Sequence, residues 1–409
     1  MKKEPKLWRK FDEYGGNLMK KSLAVVAVAA LLSGLFAGPA QAKDVKLTGG
    51  GASFANPILD ACKGEFASAT GDSYTYASLG SGAGRSGWDK GDYDFGWSDT
   101  PHLTPKDTNT MHIPVVAAPV AIMYNIPGVE EQLNLTPEII AGIFSRQITN
   151  WNDPKIKAEN NKTIKTPIFK TKKVTTKVKG KNVTKTITAK DKKGKPIVAS
   201  YKQEKVAIDF PKLPIVVVYR NDSSGTSGIF TNYLNEIVPS IWTKPGNNDF
   251  TASFPGVITD AANFGSVQGG KGSEQTAPLT ARIAGAITYA ESNYAKSNGL
   301  KVAKVRNNAG TYVEPGAAGV SAFLGSATTN PNGTLNLDYK TTNQAAYLLG
   351  STSYALVSSS YKDPVKGAAV KGLMTYILND CAKKFPATEF AVIDGPLKTF
   401  NEAQIAKIK

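Results

Sequence analysis

Apolar and polar positions along this chain fall into a repeating unit: a short β-branched or aromatic run, a turn of glycines and hydroxyls, then helical spacing. Val45–Thr48 is such a run and leads into Gly49-Gly50-Gly51-Ala52-Ser53-Phe54. A helix follows from Pro57 to about Ala69, with proline placed early, where its missing N–H costs little. Ser73–Ala77 predicts a second strand, entering Leu79-Gly80-Ser81-Gly82-Ala83-Gly84, and Tyr93–Trp97 a third, ending at Ser98-Asp99-Thr100-Pro101. Ile113–Tyr124 is almost wholly apolar, as a buried strand is. Thr136-Pro137-Glu138 opens a helix that buries Ile139, Ile143 and Phe144. Pro214–Tyr219 is a strand running into Arg220-Asn221-Asp222-Ser223-Ser224-Gly225-Thr226-Ser227, followed by an amphipathic stretch from Gly228 to Ile237. Thr276–Ile283 reads as helix, Gly285–Tyr289 as strand, and the last long helix lies between Val365 and Lys384. Such units predict an α/β fold with a parallel sheet, whose ligands bind beyond the carboxyl ends of the strands. The hydroxyl-rich turns all stand at such ends.

The first 42 residues break this pattern. Met19-Lys20-Lys21, the apolar run Leu23–Phe36 and Ala40-Gln41-Ala42 make a Sec-type signal peptide cleaved after Ala42, preceded by a polar extension. The run is shorter than the ~20 residues a membrane span requires, and Gly34, Gly38 and Pro39 interrupt it. The expectation is an exported, periplasmic or cell-surface protein. Cleavage leaves 367 of the 409 residues, enough for two compact domains. Cys62 and Cys381 are the two cysteines; in an oxidising compartment they read as one disulfide, with two buried thiols as the alternative.

Charge changes the picture in one place. The net charge is +16, yet residues 155–205 alone hold seventeen lysines against three acids, and residues 1–42 contribute +4; everything else sums to −2. In residues 162–205, Val174–Val178 and Val183–Ile187 flank Lys179-Gly180-Lys181-Asn182, a hairpin signal with valine, isoleucine and threonine alternating with lysine. We read an inserted lysine-rich β-hairpin, either a solvated loop or a contact for an anionic surface.

Two glycine motifs mislead. Gly82–Gly87 satisfies the dinucleotide fingerprint, but Trp88-Asp89-Lys90-Gly91-Asp92 is too short and glycine-broken for the long helix that fingerprint needs. Gly265–Gly272 nearly matches a Walker A loop, with Gly272 where the magnesium-binding hydroxyl belongs. With His102 and His112 the only histidines, a catalytic triad or zinc site has little to draw on, and His102 reads as a surface-turn residue. The expectation is a protein without catalytic residues, metal or cofactor. The Arg220–Ser227 turn is either a solvated helix cap or an anion seat, since helix N-termini leave N–H groups unpaired at the positive end of the macrodipole. Ser53 with the N–H groups of Ser53 and Phe54, Ser81, and Arg220, Ser224, Gly225 and Thr226 supply donors; Asp222 orients the guanidinium. Asp99 is a carboxylate among them, repulsive to an anion unless that anion carries a proton, which separates phosphate from sulfate.

These pieces carry a resemblance. Leu47–Phe54, Gly80-Ser81-Gly82, Asp94–Asp99, Tyr124–Gly128, Arg220–Thr226, Gly269–Gly272 and Gly285–Tyr289 are similar, in order, to the periplasmic phosphate-binding component of ABC phosphate importers, the PstS family. The resemblance implies a two-lobed, type II periplasmic-binding-protein fold with the ligand in the cleft. It implies one lobe from residues 43–116 and 349–409 and another from residues 117–348, the chain crossing near 116 and returning near 348. Its phosphate ligands fall on Ser53, Phe54, Ser81, Asp99, Arg220, Ser224, Gly225 and Thr226, with Asp222 as the arginine's partner. It implies a monomer that takes phosphate or arsenate and delivers it to an inner-membrane permease. The family often has threonine at Ser53 and a second serine at Gly82; the lysine-rich insertion and the cysteine pair are not part of its pattern. Two rivals share the scaffold: a phosphatase with Ser53 or Ser224 as nucleophile, and a surface adhesin that uses the basic hairpin.

Overall fold

A computed structural model describes residues 44–385 and 389–409; the expected signal peptide, residues 1–42, lies outside the described residues. In chain order the elements that build the site are β1 (Lys46–Gly51), α1 (Asn56–Thr70), β2 (Ser73–Ser78), α2 (Ser81–Lys90), β3 (Phe95–Ser98), β4 (Thr110–Tyr124) and α3 (Pro137–Phe144). They continue with β5 (Val216–Arg220), α4 (Gly225–Ile237), β6 (Val267–Gly270), α5 (Ser273–Arg282), β7 (Ala286–Glu291), β8 (Gly350–Ser358) and α6 (Pro364–Tyr376). The strands form one sheet in the order β6-β5-β7-β4-β8-β3-β1-β2, with Lys301–Val302 added against β4.

This sheet joins two parallel groups through an antiparallel seam. β1 runs parallel to β2 and β3, and β5 parallel to β6 and β7. The long strand β4 serves both groups: Thr110–Pro119 pair with β8, and Val120–Tyr124 pair with β7. All fifteen residues of β4 are buried, which explains their near-continuous apolar character. Two prolines interrupt its donors, and the register against β8 shifts beside Pro114, where Ser353 pairs with Val116 and Tyr354 with Pro114.

Each parallel group is packed by its own aromatic set. Tyr74, Tyr76, Phe95 and Trp97 meet beneath β1 and β3, with centroids 6.1 to 6.4 Å apart. Phe144, Phe230 and Tyr289 lock α3 and α4 onto β7, with centroids at 4.2 to 5.7 Å. Such pairs add about 0.5–1.5 kcal/mol each beyond the area they bury. The Thr136 side chain caps α3 by accepting from the Ile139 N–H, as its position before proline predicts.

Three expectations need amendment. The Gly82–Gly87 segment is not a turn before a broken helix: α2 begins at Ser81 and runs ten residues through its glycines, ending where Gly91 turns left-handed. His102 is not a surface residue; it is buried, its Nε2 3.0 Å from Asp89, and its backbone N–H donates to His112 Nε2. Burial holds the His112 imidazole neutral, pushing its pKa down to about 4. The lysine-rich insertion is larger than one hairpin. Asn161–Phe169 pair with Val198–Ala207, and the expected hairpin, Thr171–Val178 against Lys181–Thr188, extends beyond them.

Cys62 on α1 and Cys381, in the wide helical turn that continues α6, are bonded, with 5.9 Å between their Cα atoms. The bond ties together segments 319 residues apart. Loop-closure entropy of that length corresponds to about 6 kcal/mol as an upper figure. The paired change Cys62→Ser, Cys381→Ser, or reduction of the bond, should therefore lower the urea midpoint clearly. An unchanged midpoint would show that the reduced chain keeps these segments together by packing alone.

Candidate functional site

Each strand of the two parallel groups ends at one place, and the residue just past or at its carboxyl end points a polar group into it. β1 ends before Ser53, β2 before Ser81 and β3 before Asp99; β5 ends at Arg220, β6 before Ser273 and β7 at Glu291. All six are buried. Ser81, Gly225 and Ser273 also begin helices, so three helix N-termini face this region.

Arg220 lies at the centre. Its Nε and Nη2 donate to Asp222 Oδ1 and Oδ2 at 2.7 and 2.6 Å, a two-pronged bond that fixes the guanidinium plane. Nη1 points the other way, to Ser53 Oγ at 3.0 Å and Ser273 Oγ at 3.2 Å. Burial alone would raise the Asp222 pKa, but the guanidinium outweighs it, with help from the Gly272 N–H, and holds the carboxyl below its usual range.

Asp99 sits in a second cluster. Ser81 Oγ donates to its Oδ2 at 3.1 Å, and the Asp99 N–H returns a bond to Ser81 Oγ at 3.0 Å. The Ser353 hydroxyl donates to Oδ1. Burial, reinforced by the nearby Glu291 carboxylate, pushes the Asp99 pKa up to about 7 even though these hydroxyls and Arg220 oppose the shift. Glu291 Oε1 accepts the Thr226 hydroxyl at 2.7 Å, while its Oε2 is buried with no hydrogen-bond partner among the described residues. Burial raises its pKa as well.

The clusters meet at Gly225. A Cβ there would lie 2.3 Å from Ser81 Oγ and 2.6 Å from Asp99 Cβ, so only glycine lets the start of α4 approach this closely. The same holds at Gly82, where a Cβ would lie 2.3 Å from Ser223 Oγ. Further bonds cross there: Gly82 N–H to Ser223 O, Tyr294 Oη to Ser53 O, and Ser78 Oγ to Glu274 Oε1 at 2.8 Å. A cavity of about 760 Å³ opens beside the seat, lined by Asp99, Arg85, Thr100 and Asn248.

The sequence-derived residues are thus assembled, with three differences in their hydroxyls. Ser81 spends its proton on Asp99, Thr226 spends its proton on Glu291, and Ser224 Oγ accepts the Ser227 N–H as the cap of α4. The Phe54 side chain is fully buried in the apolar core, which leaves only its backbone for a ligand. Ser273, Glu291, Ser353 and Arg85 were not anticipated. The rule that ligands gather at strand ends would have found Ser273 and Glu291; nothing local marks Ser353, which β8 supplies from 254 residues away.

The PBP superfamily domain matches residues 37–380. The chain belongs to this superfamily. Among curated relatives, the phosphate-binding protein PstS of Xylella fastidiosa (strain 9a5c) is 27% identical over 333 residues, covering 80% of this chain and 76% of that one. The PstS of Pasteurella multocida (strain Pm70) is 29% identical over 301 residues, covering 73% and 71%. Among solved structures, a high affinity periplasmic phosphate-binding protein (PfluDING) bound with phosphate aligns with a TM-score of 0.62 at 20% identity, covering 88% of this chain and 93% of that one. At that identity the likeness establishes the fold, the α/β architecture of type II periplasmic binding proteins.

The ion pair makes its own prediction. Arg220→Met should cost about 3–5 kcal/mol of folding stability, because Asp222 is left buried and unpaired. Adding Asp222→Asn should recover part of the loss. Denaturant titration of the three proteins checks this, and full additivity of the two changes would deny the coupling.

Proposed function

We propose that this chain is an exported binding protein that captures inorganic phosphate and delivers it to an ABC-type importer in the inner membrane. The observation that carries the reading is one carboxyl, Asp99, held inside an anion seat built around a buried, unconditionally charged arginine. Relatives named as phosphate-binding proteins support the same ligand. Arg220 supplies the cation, oriented by Asp222. Ser53, Ser81, Ser224 and Thr226 supply hydroxyls, and the backbone N–H groups of Phe54 and Gly225 add donors. Residues 43–116 with 349–409 form one lobe and 117–348 the other, and they close over the anion by bending where β4 passes between its two partners. Arsenate, with the same shape and protonation, fits as phosphate does. The protein acts as a monomer in the periplasm once the leader is removed after Ala42, and releases its ligand unchanged. A phosphoester turned over by the purified protein at a rate sensitive to Ser53→Ala or Ser224→Ala would refute that last statement.

Selectivity follows from protons. Phosphate keeps at least one proton through the neutral range and sulfate keeps none. An ionised Asp99 accepts from the first and repels the second; a protonated Asp99 can donate to either. The Asp99 pKa is raised, so the repelling form dominates only above about pH 7. Calorimetric titration should show one phosphate per chain, with the phosphate-over-sulfate preference growing as pH rises through 7. Asp99→Asn should abolish that pH dependence and strengthen sulfate binding about 10²–10³-fold, the scale of a removed like-charge contact. Equal sulfate and phosphate affinities at pH 8 would overturn the reading.

Glu291 governs Thr226 in the same way. An ionised Glu291 takes the Thr226 proton and leaves an oxygen lone pair facing the ligand; a neutral Glu291 can donate, freeing Thr226 to donate to the anion. Glu291→Gln and Glu291→Leu both remove the carboxylate that competes for the Thr226 proton, so where Glu291 is ionised both should bind phosphate at least as tightly as the parent, by up to the about 10–100-fold of one hydrogen bond to a charged group. Equal losses in both variants would reduce Glu291 to a packing role.

A further inference from the structure

The lysine-rich arm has two unlike sides, and the seat explains neither. Residues 161–207 hold fifteen lysines and two acids, whereas the rest of the chain, leader apart, is close to neutral. Both acids are already engaged: Glu204 lies 3.4 Å from Lys202, and Asp191 accepts from the N–H groups of Lys193 and Lys195. The root is held to the body, where Ile208 N–H donates to Asn160 O and the Asn160 side chain bonds Asn134 and Ile156. Beyond it the arm is two successive two-stranded ribbons with both faces largely exposed. Isolated ribbons of this kind are marginal in water.

In the outer hairpin, cross-strand partners share a face. One face consists of threonine, lysine and asparagine, from pairs such as Lys173↔Thr186 and Thr175↔Thr184. The other is a checkerboard: Lys172 opposes Ile187, Val174 opposes Lys185, Thr176 opposes Val183, and Val178 opposes Lys181. Val178 and Ile187 remain 53% and 43% exposed. Lysine on the polar face would suffice to keep the ribbon soluble and its edges unpaired. It gives no reason for every β-branched aliphatic of the hairpin to lie on the opposite side.

We propose that this checkerboard face docks on an anionic lipid surface. A protein core would have to bury its lysines. A lipid boundary offers phosphates and hydrocarbon within one side-chain length, so lysine stems can lie along the aliphatics with their ammonium groups among the headgroups. Lysines near an anionic leaflet add attraction one by one. Nucleic acid fits less well, because this face carries no aromatic ring for base stacking. The inference does not depend on what the seat binds; for a delivery protein, it would raise the local concentration at the membrane that holds the permease.

The test is co-sedimentation of the chain from Lys43 onward with vesicles of phosphatidylcholine, with and without phosphatidylglycerol. Binding should require phosphatidylglycerol and weaken as salt is raised. The pair Val178→Thr, Ile187→Thr, which keeps both positions β-branched, should weaken it about tenfold, and replacing 161–207 by a short Gly-Ser link between Asn160 and Ile208 should abolish it. A melting curve of the excised protein close to that of the parent shows that the body is intact. No preference for anionic vesicles overturns the proposal. So does binding that Lys181→Gln, Lys185→Gln removes while the threonine pair leaves it untouched, which would assign the arm to a purely ionic polymer such as nucleic acid or an acidic polysaccharide.

Discussion

The buried Arg220–Asp222 pair is the constraint around which the site is organised. A guanidinium cannot shed its proton, so burying it obliges the fold to supply a fixed counter-charge, and Asp222 does so through both oxygens. That leaves Nη1 as the outward-facing arm, and it reaches Ser53 of one half of the sheet and Ser273 of the other. Two further carboxyls, Asp99 and Glu291, stand within the same field. One central cation, with Arg85 at the edge, among three carboxyls is an odd composition for an anion seat if all three are ionised. Burial resolves it by raising the pKa of Asp99 and Glu291 while Asp222 stays charged. Two of the three acids can then carry protons, and the seat can take up negative charge without an equal repulsion.

The sheet topology brings these groups together. Parallel strands send their carboxyl ends the same way, and two such groups joined antiparallel through β4 and β8 set six ends face to face. β4 is one strand with two partners, changing from β8 to β7 between Pro119 and Val120. At this change of partner one backbone bond, from the Val120 N–H to Leu349 O at 2.9 Å, carries the β8 side across to the residue that opens the β7 pairing. Polar contacts also bridge the two halves of the sheet beside the site: Ser53 to Arg220 and Ser273, Gly82 to Ser223, Ser78 to Glu274, Tyr294 to Ser53. Polar contacts of that kind can reopen, as the proposed capture and release requires.

Much of this was legible in the residues because strand, turn and helix signals are local. Val45–Thr48, Ser73–Ala77 and Pro214–Tyr219 mark their strands within a few residues, and Pro137 after Thr136 marks a helix start. The site residues could be named because hydroxyl-rich turns at strand ends have a chemical meaning on their own. What was hidden depends on distance or on close approach. Ser353 reaches Asp99 only through the pairing of β8 with β3, and the His102–Asp89 contact only through the packing of α2 against the loop after β3. Local propensity also argues against a helix at Ser81–Lys90, with three glycines inside it. Those glycines are there because Gly84 lies against β1 and Gly82 against Ser223, so packing decides a conformation that propensity alone disfavours.

The arm obeys a different logic from the body. At the site, charge is confined to a few buried or half-buried groups, Arg220, Asp99, Asp222 and Glu291, whose protonation is set by their surroundings. In the arm, charge is numerous, unscreened by acids and placed on strands that bury almost nothing. A seat needs one oriented cation in a low dielectric, where each bond to an anion is strong and specific; a surface contact needs many weak attractions that tolerate motion. Placing both on one chain requires that the second not disturb the first, since diffuse positive charge near the site would draw any anion and blunt the discrimination proposed for Asp99. The ribbon grows from the loop between Asn160 and Ile208, residues that take no part in the seat, and the lysines that could blur selectivity are collected on an element of their own.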